Sequence, residues 1–432
     1  MAGSERGNGG EKLSLLDAVA MAMGGMIGGG IFAVLGKGVE EAGNATFLAF
    51  GIAGLLAFLT GLSYSRLTVA FDEPGGSFSY VERILGPDAA GTVSWFLLLG
   101  YVFTVALYAH AFASYGGDLI GIDGLGKGIL GAAIILGLSA LNLVGVRESG
   151  VAEDILVFGK IAILLAVAAA GLFVLDPDQA LPVLETGGGG ILTTAGLIFV
   201  AYEGFQLLTY DYDDIREHQA NLPRAIYIAI PATTAIYMLV AFVTTGTLSD
   251  GFIAEHAETV LAYAAEPVLG RVGITAVLVA AVFSTASAIN ATIFASARLA
   301  LRVTRDEELP GLVGRWKRGG VPVAFVAFTA LAALTIQATA DLGQITHFSS
   351  LVFLAVFVVV NGAAAAHSVF SGWGRLIPVV GGLGCVGAVA ALVLDLYHRD
   401  PTTLVVIGGI AGLLLLGRLA FVLGRSGPPD AG

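Results

Sequence analysis

The stretch Gly24-Gly25-Met26-Ile27-Gly28-Gly29-Gly30-Ile31-Phe32 lies in the middle of an apolar run from about Leu15 to Gly38. Glycine costs roughly 1 kcal/mol per residue against alanine inside a helix, so this clustering argues for an unwound segment at the centre of a membrane span. Beyond such a break a second half-helix begins with free backbone N–H groups and a positive dipole end, a suitable seat for a carboxylate. Irregular backbone is tolerated at membrane depth only where it lines a cavity or is buried in protein. The same glycines also admit the close approach of a neighbouring helix, and by themselves they do not separate the two readings. A phosphate-binding loop fits less well, because the run before Gly36-Lys37 lacks the spacing and Gly38 stands where Ser or Thr is required.

The rest of the chain has the same solvent preference. Of its 432 residues 56% are hydrophobic and 12% charged, against roughly 25% charged in soluble globular chains. Apolar runs long enough for a hydrocarbon core of about 30 Å recur almost to the end. Twelve are expected, approximately Leu15 to Gly38, Thr46 to Phe71, Ala89 to Tyr115, Gly126 to Val144, Val151 to Leu175, Ile191 to Asp211, Ala225 to Thr247, Pro267 to Val303, Val321 to Thr339, Ile345 to Phe370, Leu376 to Leu396 and Thr402 to Leu423. The first continues too far for a signal peptide and no small-residue cleavage pattern follows it, so it reads as a retained span.

With a cytoplasmic N-terminus, Arg298, Arg302, Arg305, Arg315, Lys317 and Arg318 fall inside with both termini, while only Lys37, Lys127, Arg271 and Arg399 fall outside. That is the positive-inside asymmetry of a multi-pass protein of the cytoplasmic membrane.

The net charge is −12, with acids in the loops at Glu40, Glu41, Asp176, Asp178, Asp250, Glu255 and Glu258, which does not suit nucleic acid. Cys385 is the only cysteine and the six histidines show no ligand spacing, so neither metal nor cofactor is expected. Nucleophile–base pairs and paired catalytic carboxylates at reactive spacing are missing too, which argues against an enzyme. No obligate protein partner is implied; the lipid bilayer is the surrounding medium.

A second break is expected in the sixth span, at Phe199-Val200-Ala201-Tyr202-Glu203-Gly204-Phe205-Gln206. A carboxylic acid beside a glycine in an apolar helix needs a wet or paired interior. Breaks in spans one and six imply two five-span halves of opposite topology, in which half-helix ends meet at the midplane.

Lys160 lies deep within span five, too far from either end to snorkel easily. It reads either as a proton-carrying group, since burial disfavours the ammonium, or as a structural lysine bonded to carbonyls. Glu203 has three open readings: partner of a cationic substrate group, second protonation site, or protonated residue bonding a neighbouring helix. Tyr202 and Phe205 flank the break and are the aromatics expected to gate it.

Four segments, Gly24 to Phe32, Pro74-Gly75-Gly76-Ser77-Phe78-Ser79-Tyr80, Asn142-Leu143-Val144-Gly145-Val146-Arg147-Glu148-Ser149 and Ser284-Thr285-Ala286-Ser287-Ala288-Ile289-Asn290-Ala291-Thr292, resemble the amino acid/polyamine/organocation permeases. The resemblance covers nearly the whole length. It implies an all-α integral membrane fold of twelve transmembrane helices, with inverted repeats at 13–175 and 191–370, two further helices at 376–424, and disordered cytoplasmic tails at 1–12 and 425–432. Spans one and six would be unwound at mid-membrane. The implied activity is secondary active transport of amino acids, driven by protons through alternating access. An amino acid or polyamine exchanger on the same fold and a transporter-like sensor are the alternatives.

In that reading Ile27, Gly28, Gly29 and Gly30 offer N–H donors to the substrate carboxylate, carbonyls of Phe199, Ala201 and Tyr202 accept from its ammonium, and Glu203 and Phe205 complete the site. Lys160 would take the place of a sodium ion, bonding near Gly25 and to hydroxyls such as Ser284 or Ser287. The sequence departs from the family at Glu203, where an aliphatic residue is usual, and at Gln206, where an acid is usual.

Overall fold

The computed structural model describes residues 12–145, 150–183 and 188–425. The last four residues of the Asn142 to Ser149 motif lie outside them, as do the tails expected to be disordered apart from Lys12 and Arg425.

The chain is almost entirely helical. The first group is α1 (Leu15–Ala42), α2 (Thr46–Phe71), α3 (Gly76–Leu85), α4 (Pro87–Ile120), α5 (Leu125–Val144), α6 (Gly150–Gly171) and α7 (Pro177–Ala180). Then α8 (Gly188–Leu197) runs into the 3₁₀ turns Ile198–Tyr202 and Phe205–Asp214. After these come α9 (His218–Thr247), α10 (Asp250–Glu255), α11 (Val260–Tyr263), α12 (Glu266–Arg305) and α13 (Leu312–Arg315). A small antiparallel ribbon, β1 (Lys317–Arg318) with β2 (Val321–Pro322), departs from the all-α expectation. It leads to α14 (Val323–Thr339), α15 (Leu342–Ala366), α16 (Leu376–Arg399) and α17 (Pro401–Arg425). By length and composition, 9 helical segments among the described residues can cross a membrane, the first being Leu15–Phe71, which joins α1 to α2; shorter apolar helices cover Val157–Gly171 and Val323–Thr339.

The helix α1 starts at a capping box. The Asp17 N–H donates to the Ser14 hydroxyl at 3.3 Å, and the Ser14 N–H donates to the Asp17 carboxylate at 2.8 Å. Just before it, Leu13 pairs with the Ile215 segment, its N–H donating to Asp214 O at 2.9 Å, which ties the chain start to the far end of the broken span. α1 packs against α9, α12, α6, α8 and both 3₁₀ turns. A helix touched on all sides has no use for a polar face, and its sequence is accordingly apolar all round.

The expected unwinding of span one is corrected here: α1 is a continuous α-helix from Leu15 to Ala42, through every glycine of the motif. Its glycines serve close approach. A Cβ on Gly25 would stand 3.1 Å from the Gly204 Cα, and one on Gly30 would stand 2.6 Å from the Ala201 carbonyl oxygen. Contact with backbone that cannot rotate away offsets the propensity cost of the glycines.

At the far end of the chain, α17 is held by Arg418, whose guanidinium donates to the Glu308 carboxylate just beyond α12; both side chains are buried. The Trp95 indole N–H donates to Glu308 O at 2.9 Å, joining α4 to the same knot. A buried ion pair of this kind fixes a register more than it adds stability.

Candidate functional site

The second expected break is present. The 3₁₀ turn ends at Tyr202, Glu203 is extended (φ −61°, ψ 135°) and Gly204 has φ 129°, ψ −33°, a conformation for which glycine is suited. The Gly204 N–H, freed from the helix, donates to the Gln206 side-chain oxygen at 2.9 Å. That bond orients the amide, so Gln206 Nε2 faces Glu203 and donates to its carboxylate at 2.9 Å. The two residues therefore meet although the helix between them is unwound. The Tyr108 hydroxyl donates to the other Glu203 oxygen at 3.4 Å, and Glu203 is buried.

Of the expected site residues, Ile27, Gly28, Gly29 and Gly30 are buried inside the continuous α1, and of the glycines among them Gly30 faces the broken segment, at Ala201. The Tyr108 ring lies directly over Gly29, and a Cβ on Gly28 would stand 2.9 Å from the Ala288 Cβ. Phe199, Ala201, Tyr202 and Phe205 line the other side, all buried. The Ala201 carbonyl accepts from the Tyr237 hydroxyl at 3.1 Å, and the Tyr202 hydroxyl donates to Phe50 O at 2.7 Å. Phe205 is edge-on to Tyr64, with ring centroids 5.7 Å apart.

Lys160 is buried, and its Nζ donates to Gly24 O at 2.9 Å. The expected bond lay near Gly25; the carbonyl that accepts it is that of Gly24, the adjacent residue. Ser284 donates instead to Ile27 O at 3.0 Å, and Ser287 is half-buried on α12. Sequence reasoning missed Tyr237, whose hydroxyl also donates to Met26 O at 2.7 Å. An isolated tyrosine in an apolar helix carries no signal that separates it from an interfacial aromatic.

Two cavities lie at opposite ends of α12, and neither is lined by the break or by the glycines of α1. The first, about 590 Å³, is bounded by Glu40, Asp118, Lys127, Glu258 and Asp341. The second, about 520 Å³, is bounded by Pro74, Tyr210, Arg298 and Arg302. In this conformation the centre is closed to both.

The segment covering the first cavity, α10 to α11, is clasped to α4. Glu258 accepts from the Ser114 hydroxyl at 2.6 Å and faces His110 Nε2 at 3.2 Å, while Thr259 donates to Asp118 at 2.7 Å. The Ala257 backbone rests on Gly36, where a Cβ would stand 2.9 Å from the Ala257 Cα. The bond to His110, followed by that to Ser114, holds the Glu258 carboxyl down at about 2, below its ordinary 4.5. A depressed acid contributes to the clasp above its ordinary value, and the contribution is lost as pH falls through about 2. We expect amide exchange in Asp250–Glu255 and Val260–Tyr263 to stay slow from neutral pH down to about 4. Glu258→Gln should speed it at neutral pH, as read by hydrogen–deuterium exchange mass spectrometry.

A bundle of long apolar helices closed around a broken segment, with a buried lysine and glutamate beside it, defines a multi-pass membrane protein of the transporter class. The particular family follows from sequence comparison: the amino acid permease model matches residues 13–408, and the chain belongs to that family. It is 30% identical over 435 residues to the inner membrane transport protein YbaT of Escherichia coli, covering 99% of each chain. It is 27% identical to the methylthioribose transporter of Bacillus subtilis, over 81% of this chain and 79% of that one. It is also 23% identical to the branched-chain amino acid permease BcaP of Bacillus subtilis, over 82% and 80%.

Proposed function

We propose that this chain is a proton-coupled amino acid symporter of the cytoplasmic membrane, working by alternating access around the contact between α1 and the break at Glu203–Gly204. In this reading α1, α2, α4, α5, α6, the run from Gly188 to Asp214, α9, α12, α14, α15, α16 and α17 are twelve crossings with both termini cytoplasmic. Residues 13–175 and 191–370 are inverted repeats, and 376–424 form the added pair. The two cavities are the vestibules on either side of a closed centre.

One observation carries the reading. In a regular helix the carbonyls of Gly24, Met26 and Ile27 accept from the N–H groups of Gly28, Gly30 and Ile31. Here each of those carbonyls also receives a side-chain donor: Lys160, Tyr237 and Ser284 respectively. Opening the helix at this point leaves these three carbonyls with a donor, so that of the acceptors freed with Gly28 to Ile31 only Gly25 O needs a new partner, which lowers the main penalty for unwinding in a buried setting. The released N–H groups of Gly28, Gly29 and Gly30, with Ile27, then offer the carboxylate seat, opposite the carbonyls of Phe199, Ala201 and Tyr202. Phe205 packs across the inner approach, and Glu203 borders the substrate. Lys160, by holding or releasing Gly24 O as it gains or loses a proton, links protonation to the state of α1; Gly25, Ser284 and Ser287 surround that link.

The test is uptake of a panel of labelled amino acids into proteoliposomes under proton and sodium gradients imposed separately. An inward gradient of one pH unit supplies about 1.4 kcal/mol per proton, or about tenfold accumulation at one proton per substrate. Uptake stimulated by sodium and indifferent to pH would overturn the proposal. Counterflow that requires internal substrate would replace symport by exchange, for which the buried Glu203 carboxylate, a partner for a cationic substrate group, is the motivating feature.

A further inference from the structure

Glu203 is 2% exposed, and among the described residues its hydrogen-bond partners are the Tyr108 hydroxyl and the Gln206 amide, both uncharged. Tyr101 on α4 and Tyr210 on the second 3₁₀ turn are the further ionisable groups that interact with it. Of the cations, Lys160 is engaged on Gly24 O, and Arg302 donates to Pro74 O at the edge of the second cavity. A bare carboxylate buried among neutral groups is costly; it is satisfied by a counter-cation or by a proton. Neither cavity is lined by Glu203, and a proton, unlike an organic cation, needs no cavity there.

A path leads away from this carboxyl in one direction. The Tyr101 hydroxyl, beside Gln206, meets the Tyr210 hydroxyl at 3.3 Å, and Tyr210 lines the second cavity. A hydroxyl passes a proton by accepting one on its oxygen and releasing its own to the next acceptor, with no net change. A carboxamide does not, since its N–H is not labile in this sense. Gln206 is fixed by the Gly204 N–H with its NH₂ toward Glu203, and so stands as an insulator between the acid and the tyrosine pair.

We propose that Glu203 is a proton site of the closed, empty carrier, sealed by Gln206 from the Tyr101–Tyr210 pair that leads to the second cavity. The proton stays on the Glu203 carboxyl while the centre is closed. When the Gly204 hinge moves and carries Gln206 away, the proton passes to Tyr101, Tyr210 releases its own to water in the cavity, and Glu203 is left as carboxylate. Return of the empty carrier then requires reprotonation. This takes the transport reading as its frame, but the site itself is read without any substrate.

The experiment is infrared difference spectroscopy on the purified full-length protein without substrate. At neutral pH we expect a neutral-carboxyl C=O band that disappears in Glu203→Gln, an isosteric change whose amide oxygen still accepts from Gln206 and whose NH₂ donates to the Tyr108 oxygen instead of accepting from it. Glu308 does not interfere, because its carboxylate is paired with Arg418. The band should shift slowly in heavy water, and roughly tenfold faster in Gln206→Ala, where the oriented hydrogen bond is gone. Should Glu203→Gln fail to fold, Glu203→Asp is the second variant, in which the band should shift in frequency rather than stay at its wild-type position. Identical wild-type and Glu203→Gln spectra at neutral pH, or a wild-type protein without the band, would overturn the proposal. Failure of amino acid uptake bears on the transport reading and leaves this measurement intact.

Discussion

Gly204→Ala is expected to reduce transport to background, with Gly25→Ala milder and Gly86→Ala close to wild type. Gly204 combines two demands that the other positions hold singly. Its φ of 129° lies where L side chains are rarely found, a strain of order 1–3 kcal/mol. A Cβ there would also stand 2.7 Å from the Met26 amide nitrogen, next to the Gly25 backbone. Neither neighbour is a side chain that can swing aside, so α1 itself must move, at an overpacking cost of about 1–3 kcal/mol. Together these bring the closed state down by roughly 2–6 kcal/mol, and each 1.4 kcal/mol is tenfold in its population.

The two controls separate the contributions. Gly86 has φ 92° with nothing within 4 Å of an added Cβ, so Gly86→Ala reports strain alone. Gly25 is helical and faces Gly204 at 3.1 Å, so Gly25→Ala reports crowding alone. Uptake rates and melting temperatures in detergent would be measured for all three. A Gly204→Ala protein that transports as well as Gly86→Ala would show that the closed contact between α1 and the break is not on the transport cycle.

How far the sequence could be read depended on whether a residue has one use or two. The break at Tyr202–Gly204 was legible because an acid next to a glycine in an apolar run is stable only where the interior is wet or supplies a partner. The glycines of α1 were misread for the opposite reason. Helix breaking and close approach leave the same signature, and the choice between them lies in Gly204 and Ala201, backbone far along the chain that only the tertiary fold brings alongside. The family resemblance placed the chain correctly, yet it carried the unwound first span with it, while this closed conformation keeps α1 intact. Lys160 was legible because a deep lysine must find an oxygen. That the oxygen is Gly24's was not, since one residue along a helix turns the carbonyl by about 100°. The knot of Arg418 and Glu308 escaped notice because each looks like an ordinary charge near a membrane surface. Tyr237 and Tyr108 were unremarkable as aromatics, and only their hydroxyl partners give them a place at the site.

Lys160→Ala is expected to leave a folded protein that has lost proton-driven accumulation while retaining exchange. Lys160 shares a face of α6 with Val157, and Val157 packs on α1 at Gly24, where a Cβ would stand 2.7 Å from its Cγ2. That apolar contact survives the substitution. So does the Gly24 carbonyl's place in the continuous helix, which spares it from becoming an unsatisfied buried group. What disappears is the ammonium that holds Gly24 O at 2.9 Å and, with it, the proposed tie between protonation and α1. The loss should equal the whole contribution of the gradient, about tenfold in accumulation for one pH unit. Lys160→Arg sharpens the test, because a guanidinium can still donate to Gly24 O but does not give up its proton near neutral pH. If Lys160 works through its proton, the arginine variant should exchange substrate yet fail to accumulate it against a gradient, as the alanine variant does. If the lysine merely braces α6 against α1, the arginine variant should accumulate substrate like the wild type and only the alanine variant should lose thermal stability. Uptake and counterflow measured side by side in one proteoliposome preparation distinguish the two, because a brace and a proton carrier predict opposite behaviour for arginine.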